Sequence, residues 1–416
     1  MRKIVAGIFV CCVIAAAAPF GGAVSSGALL LLLPASDPPQ AHDLPETYQP
    51  RHKGHIHLGT GLYIREDEDL VVGGTPALIL RRTHRSGHRL ASGFGIGTTH
   101  NGELHLVGDP EKFQWVALVL ADGGWVRFER TSSGTSFYNA MYEHRATPSE
   151  WLGAQLGWTG NGWALRRRDG TLMVFQGCGT GSAPVCSILR ERDSDGHIIH
   201  YRRDSDGRLS RIEAEDNRWI AFDYDEGNHI KRAYDQAGRE VTYAYDTAGR
   251  LSQWKSHEGR ESRFEYTDLD ELRLIVDRGL TVENTYDGGR VIRQVTHSGD
   301  GGEPFSFDFA YRAKDGVVVQ ADTVRSDGTW TRYTYGAHRY IDVETWGSAG
   351  FVPATFVYER DPVTNVITAL TLTCPDRKGR PLRHSSGVPN GYEDWIKWDL
   401  LRTNCSWRGQ RARDAE

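Results

Sequence analysis

The chain has no surplus of one charge: 49 Lys and Arg stand against 54 Asp and Glu in 416 residues, a net of −5. The signs alternate in mixed pairs. That excludes a basic stripe for nucleic acid and a polybasic face for an anionic membrane. Catalytic signatures are absent as well. No Gly-x-Ser-x-Gly elbow, His-Glu-x-x-His helix motif or Gly-Lys-Ser/Thr phosphate loop occurs, so the reading is a non-enzyme without a cofactor.

Metal signatures are incomplete. Among His52, His55 and His57 the pair 55 and 57 would share a strand face but lacks a carboxylate or third ligand fixed by sequence, and "DSDG" at Asp193 and at Asp204 lacks the closing Glu of a calcium loop. These are read as turn and strand-end residues, and no metal is assigned. The acidic run Glu66 to Asp69 is read as a solvated strand edge. Cysteine is sparse, at six residues.

Glycine and aromatic residues are plentiful: 47 Gly, 17 Tyr, 12 Trp and 14 Phe, a composition suited to many turns between aromatic strands. The stretch "YDQAGREVTYAYDTAGRL" writes one phrase twice, Tyr234-Asp235 to Gly238 and Tyr245-Asp246 to Gly249-Arg250. Asp caps its own backbone and Gly accepts φ > 0, so each copy predicts a hairpin bend. Tyr243 and Tyr245, two apart, share one sheet face. The aromatic-x-Tyr pattern ends at Tyr224, Tyr245, Tyr266, Tyr311, Tyr335 and Tyr358, with Tyr286 keeping the rhythm behind Asn284; the steps are 21, 21, 20, 25, 24 and 23 residues. Gly238, Gly259, Gly279 and Gly328 each stand seven residues before a repeat tyrosine, and Asn217 holds that place before Tyr224. One strand-turn-strand-turn unit cannot bury its own aromatic face. Stacking is required, which predicts an all-β solenoid or a spiral sheet of tandem hairpins with the tyrosines in its core.

The phrase Tyr-Asp-x-x-Gly-Arg-Leu at Tyr245 to Leu251 resembles the YD repeat of Rhs-family bacterial proteins. Upstream, "GTGLYIREDEDLVVGG", "ALILRRTHRSG" and "GFGIG" are similar to the region that opens an Rhs array. The chain departs from that pattern at Arg82-Thr-His84-Arg-Ser86 and at Gly97-Thr98. The resemblance covers roughly residues 54 to 373 and implies twisted β-sheet wound into a spiral shell, in the family often around a toxin cargo.

The N-terminus carries Arg2 and Lys3 before an apolar run from Ile4 to Leu33, read as an export signal or as an uncleaved anchor. Export places the chain in the periplasm, at the cell surface or outside the cell, with membrane contact only through an uncleaved N-terminal segment. It also suits disulfides among Cys178, Cys186, Cys374 and Cys405, read as 178 with 186 and 374 with 405; two other pairings and free or metal-bound thiols are the alternatives.

The expected domains are an export segment 1–35, a Pro-rich linker 36–53, a β-rich opening domain 54–190, a repeat array 191–373 and a short C-terminal helical cap 374–416. The opening domain is expected to close one end of the array and the cap the other. Trp219, Trp254, Trp330 and Trp346 are candidate stacking platforms for a glycan, with filling of the core as the competing role. The functional expectation is an exported, non-enzymatic repeat scaffold or binding protein of the cell envelope, with a glycan or protein partner. The alternatives are a truncated or accessory component of an Rhs-type toxin system and an enzyme acting on envelope glycans. Against the former, Asp361-Pro362 is followed by Val-Thr-Asn and only 43 residues follow residue 373.

Overall fold

Alternating apolar residues bounded by Asp and Gly turns produce an almost unbroken succession of antiparallel strands. The computed structural model describes residues 51–384 except 53–54, 89–90, 109–112, 178–185, 337, 349–352 and 374–381, together with Lys397. The export segment, the linker up to residue 50 and most of the cap, with Cys178, Cys374 and Cys405, lie outside the described residues. Cys186 is buried and disulfide-bonded.

The region expected as one opening domain, 54–190, is two pieces in the fold. Its first piece belongs to a small sheet in which Arg51–His52, Ile56–His57, Leu62–Val72, Leu78–Arg85 and Thr98–His100 lie in that order. Its second piece is a ring. Strands follow from His105–Gly108 through Trp115–Val119, Trp125–Arg130, Met141–Glu143, Gln155–Trp158, Gly162–Arg166 and Leu172–Gln176 to Cys186–Arg192. The ring closes where Cys186 pairs with Leu106 and Ser187 with His105. The bends at Asp122 and Asp169 are hairpin turns, in which each side chain accepts a main-chain N–H two residues on.

From Arg192 the sheet continues as an antiparallel ribbon, strand after strand, to Leu382–His384. The turns that open on Asp193, Asp204, Asp225, Asp235 and Asp246 follow one rule, the aspartate accepting the N–H four residues on. In Asp246 to Arg250 the Asp Oδ1 accepts the N–H groups of Ala248 and Arg250, at 2.9 Å each, and its Oδ2 accepts Arg250 Nε at 2.8 Å. Gly249, at φ 79°, completes the bend in a conformation that a β-branched residue resists. Asn217, Gly238, Gly259, Gly279 and Gly328 all have positive φ, so the second periodic position marks the turns at the opposite rim.

Between Ala244 and Tyr245 the ladder slips by one residue: Ala244 faces Gln253 but Tyr245 faces Leu251. The same β-bulge recurs at Tyr224, Tyr266, Tyr286 and Tyr335. It carries the tyrosine rule. Tyr224, Tyr245, Tyr266, Tyr286 and Tyr311 donate their hydroxyls to the carbonyls of Leu209, Ile230, Leu251, Leu272 and Val291, at 2.7 to 3.0 Å. These five acceptor residues are buried, and the tyrosine rings pack against the hydrophobic core. A phenol of this kind fills core volume while its polar tip satisfies a carbonyl.

The ribbon therefore has an inner face of tyrosine, phenylalanine and aliphatic side chains. Its outer face carries cross-strand ion pairs: Arg202 with Glu213, Arg232 with Asp223, Arg273 with Glu265, Arg293 with Asp308 and Arg332 with Asp322. Such exposed pairs steer register more than they stabilise.

Candidate functional site

The first piece of the opening region lies along the inner face of the ribbon, and this contact is the most elaborate polar arrangement among the described residues. Two inward main-chain donors at bulge positions meet glycine carbonyls of the segment: Ile230 N to Gly93 O at 2.6 Å, and Val291 N to Gly61 O at 2.8 Å. Gly95 pairs with Arg250 so closely that a Cβ there would overlap the carbonyl oxygen of Gly249. Four ribbon arginines then hold the segment by its backbone. Arg203 donates to Gly102 O, Arg218 to Gly73 O, Arg239 to Val71 O and Arg290 to Thr60 O, at 2.9 to 3.0 Å.

At the centre is a line of alternating donors and acceptors. Ser262 Oγ donates to Asp277 Oδ1 (2.9 Å), and Asp277 Oδ2 accepts Arg65 (2.7 Å). Arg65 also holds Asp67 through two bonds of 2.8 and 3.0 Å, and Asp67 accepts Arg82 at 3.2 Å. Arg82 grips Asp69 with 2.8 and 3.0 Å bonds, and Asp69 Oδ2 accepts the Tyr243 hydroxyl at 2.9 Å. The two guanidinium groups lie 5.7 and 5.5 Å from the centre of the Phe264 ring. Arg82 is 2% exposed and the Asp69 side chain 0%.

Burial dominates the electrostatics. It raises the Asp69 carboxyl above its usual range even though Arg82 opposes the shift. Asp67 is also penalised by burial, but Arg82 and Arg65 outweigh that and bring it down to about 2. Burial pushes the Tyr63 phenol up to about 12 and, reinforced by Arg82, brings His84 down to about 3. Neutral His84 sits with Nδ1 3.1 Å from Thr98 Oγ1 and its ring 5.6 Å from that of Tyr266. Two Arg and three Asp paired in this way make a lock between segments. Each guanidinium bridges two carboxylates, and the hydrogen bonds of the network run between its own members.

The acidic run expected as a solvated edge is thus split. Glu66 and Glu68 point to water, whereas Asp67 and Asp69, on the opposite face, enter the lock. Alternation was legible, but a covering ribbon on the side of Asp67 was not. The available signal was Arg82, which shares a strand face with Leu78 and Leu80, both buried. His57, expected as an exposed strand-end residue, is buried, with Nδ1 2.7 Å from Thr60 Oγ1. Asp193, Asp195 and His197 do converge within 4.8 Å, but at an exposed turn where Asp193 caps the backbone.

Tyr243, Tyr245, Tyr266, Tyr286, Tyr311, Tyr335 and Tyr358 belong to the core or pack against it. Tyr234 does not. A bulge after Ile230 leaves Lys231 unpaired and turns Tyr234 outward, opposite Glu240 and Ala221. There Tyr234 meets Trp219 edge-on at 5.8 Å, with Arg232 over its own ring at 4.3 Å and Arg211 over Trp219 at 4.5 Å. Of the other tryptophans, Trp254 is buried and paired with Tyr243, and Trp346 shares the inner face with Glu344. Trp330, on the outer face, lies over Gly347.

A family model described as a domain of unknown function (DUF6531) matches residues 53–128. No curated protein matches the chain. Among solved structures, TcdB2-TccC3 without its hypervariable C-terminal region is 10% identical, with a TM-score of 0.35 over 76% of this chain and 21% of that one. The Tc holotoxin pore of Photorhabdus luminescens, with a TccC3 variant, is 13% identical, with a TM-score of 0.37 over 76% of this chain and 19% of that one. The chain spans about a fifth of the length of these structures.

Proposed function

We propose that this chain is an exported, non-enzymatic YD-repeat scaffold that binds a cell-envelope component, glycan or protein, on the outer face of its ribbon. The observation that supports this most directly is the occupancy of the inner face. The aromatic side that could serve as a binding trough is filled from Gly61 to Gly102 by the chain's own opening segment. Along residues 203 to 291 what is left for a partner is the outer face, where Trp219, Tyr234 and the flanking Arg211 and Arg232 form an aromatic cluster. Guanidinium-backed rings of this kind suit sugar faces and protein hot spots alike.

The test is co-sedimentation of the purified chain with isolated envelope sacculi, together with Trp219→Ala and Trp330→Ala. The expected result is sedimentation that weakens in Trp219→Ala, with no soluble sugar fragments released. Release of fragments overturns the non-enzymatic reading in favour of an envelope-glycan enzyme. Sedimentation untouched by either substitution overturns the outer-face assignment.

A second reading, an accessory component of an Rhs-type toxin system, draws on the turn phrase at Tyr245 to Leu251. It predicts co-purification with a partner chain from the native host and no sedimentation with sacculi.

A further inference from the structure

Strand Ile341–Gly347 points Glu344 to the inner face, 3% exposed, between its cross-strand neighbours Tyr333 and Phe356. A lone carboxylate there is unfavourable, because burial removes its hydration. Two neutral donors from the ribbon are aimed at it. Trp346 Nε1 donates to Oε1, and the Tyr358 hydroxyl donates to Oε2 at 2.5 Å. Both donors sit on strands of the ribbon.

The third partner comes from beyond the ribbon. Lys397 Nζ donates to Glu344 Oε2 at 3.0 Å and lies 5.3 Å from the centre of the Trp346 ring; the two charged side chains are 7% and 5% exposed. Phe356 backs Trp346 at 5.1 Å. Tyr335 lies close enough for the charge of Glu344 to act on its phenol, and its buried hydroxyl makes no hydrogen bond among the described residues.

An ordinary core position would be filled by an aliphatic side chain, since a buried ion pair seldom outperforms well-packed hydrocarbon. Here a carboxylate, an indole face and a phenol converge on one point, which is the chemistry that recognises an ammonium group. We propose that Glu344, Trp346 and Tyr358 form a binding pocket for a primary alkylammonium group, filled in the resting chain by Lys397. The pocket recognises lysine-type cations, and Lys397 is its ligand in cis.

The test uses the full chain with Lys397→Ala, which removes a propylammonium's worth of side chain, and n-propylammonium as the probe. The expected result is a lowered melting temperature that n-propylammonium raises back with saturation, as mass action on the folded state requires. Under the same conditions 1-propanol should have no effect, and Glu344→Gln/Lys397→Ala should not respond to the amine. If Lys397→Ala does not fold alone, refolding with n-propylammonium but not with 1-propanol supports the proposal equally. A parental melt for Lys397→Ala, no recovery at any amine concentration, or an equal response in the double variant overturns it.

Discussion

Tyr243 donates its hydroxyl to Asp69 across 2.9 Å although 174 positions separate them in sequence. Arg82 is the second partner of that carboxylate, so the two contacts rank differently. Arg82→Met leaves Asp69 buried with a single neutral donor and is expected to cost about 3 to 5 kcal/mol. Tyr243→Phe removes one hydrogen bond and is expected to cost about 1 to 3 kcal/mol. Urea unfolding gives the order, and hydrogen exchange should show the loss concentrated in Leu62–Val72. Equal costs would mean that Asp69 is not held mainly by charge.

The tyrosines test the two faces. Tyr245→Ala empties a packed inner site and is expected to cost about 3 to 5 kcal/mol, whereas Tyr245→Phe keeps the ring and loses the hydroxyl's bond to Ile230 O, with its longer contact to Gly93 O, about 0.5 to 1.5 kcal/mol. Tyr234→Ala, on the outer face, should stay below about 1 kcal/mol. Thermal melts in which Tyr234→Ala is as damaging as Tyr245→Ala would reverse the assignment of faces.

Two glycines touch at the lock. Gly95→Ala puts a Cβ into the Gly249 carbonyl and imposes φ 82° on alanine, so it should loosen the opening segment from its turn. Gly249→Val forces a β-branched residue to φ 79° and should disturb the turn itself. Limited proteolysis separates them: new cleavage near residues 89–97 is expected for the first, and near 246–250 for the second.

The histidines set an acid limb. Burial, aided by Arg82, depresses His84 from 6.5 to about 3, so the folded state keeps it neutral while the unfolded chain takes up a proton. Its stabilising contribution is complete above pH 6.5 and is lost progressively as pH falls toward about 3. His88, depressed to about 4 by burial and Arg85, acts with the same sign. Between pH 6.5 and 4.5 the parent should lose about 2 to 3 kcal/mol that His84→Gln does not lose. Parallel pH profiles from urea midpoints would remove His84 from this role.

The turns and the tyrosine period were readable because each is local: Asp246 and Gly249 act within five residues, and the period is the length of one hairpin pair. The bulge was not readable. Counting by twos from Ile230 puts Tyr234 on the inner face, and only the extra residue Lys231 in the ladder turns it outward. Contacts across the chain were equally hidden. Nothing near Glu66 to Asp69 announces that strands 240–245, 261–266 and 272–277 will cover one side of it, so the opening region was expected at an end of the array. The tryptophans were legible as aromatic surface, but the parity that sends Trp219 outward and Trp254 inward depends on the same slips in register.

The docking of the opening segment has a temporal side. Its partners Asp277 and Arg290 lie 212 and 230 residues downstream of Arg65 and Thr60, so this segment leaves the ribosome long before anything exists to receive it. Contacts of such separation are slow to form. The hairpins of the ribbon, whose partners adjoin in sequence, are therefore expected to form before Leu62–Val72 takes its place against them.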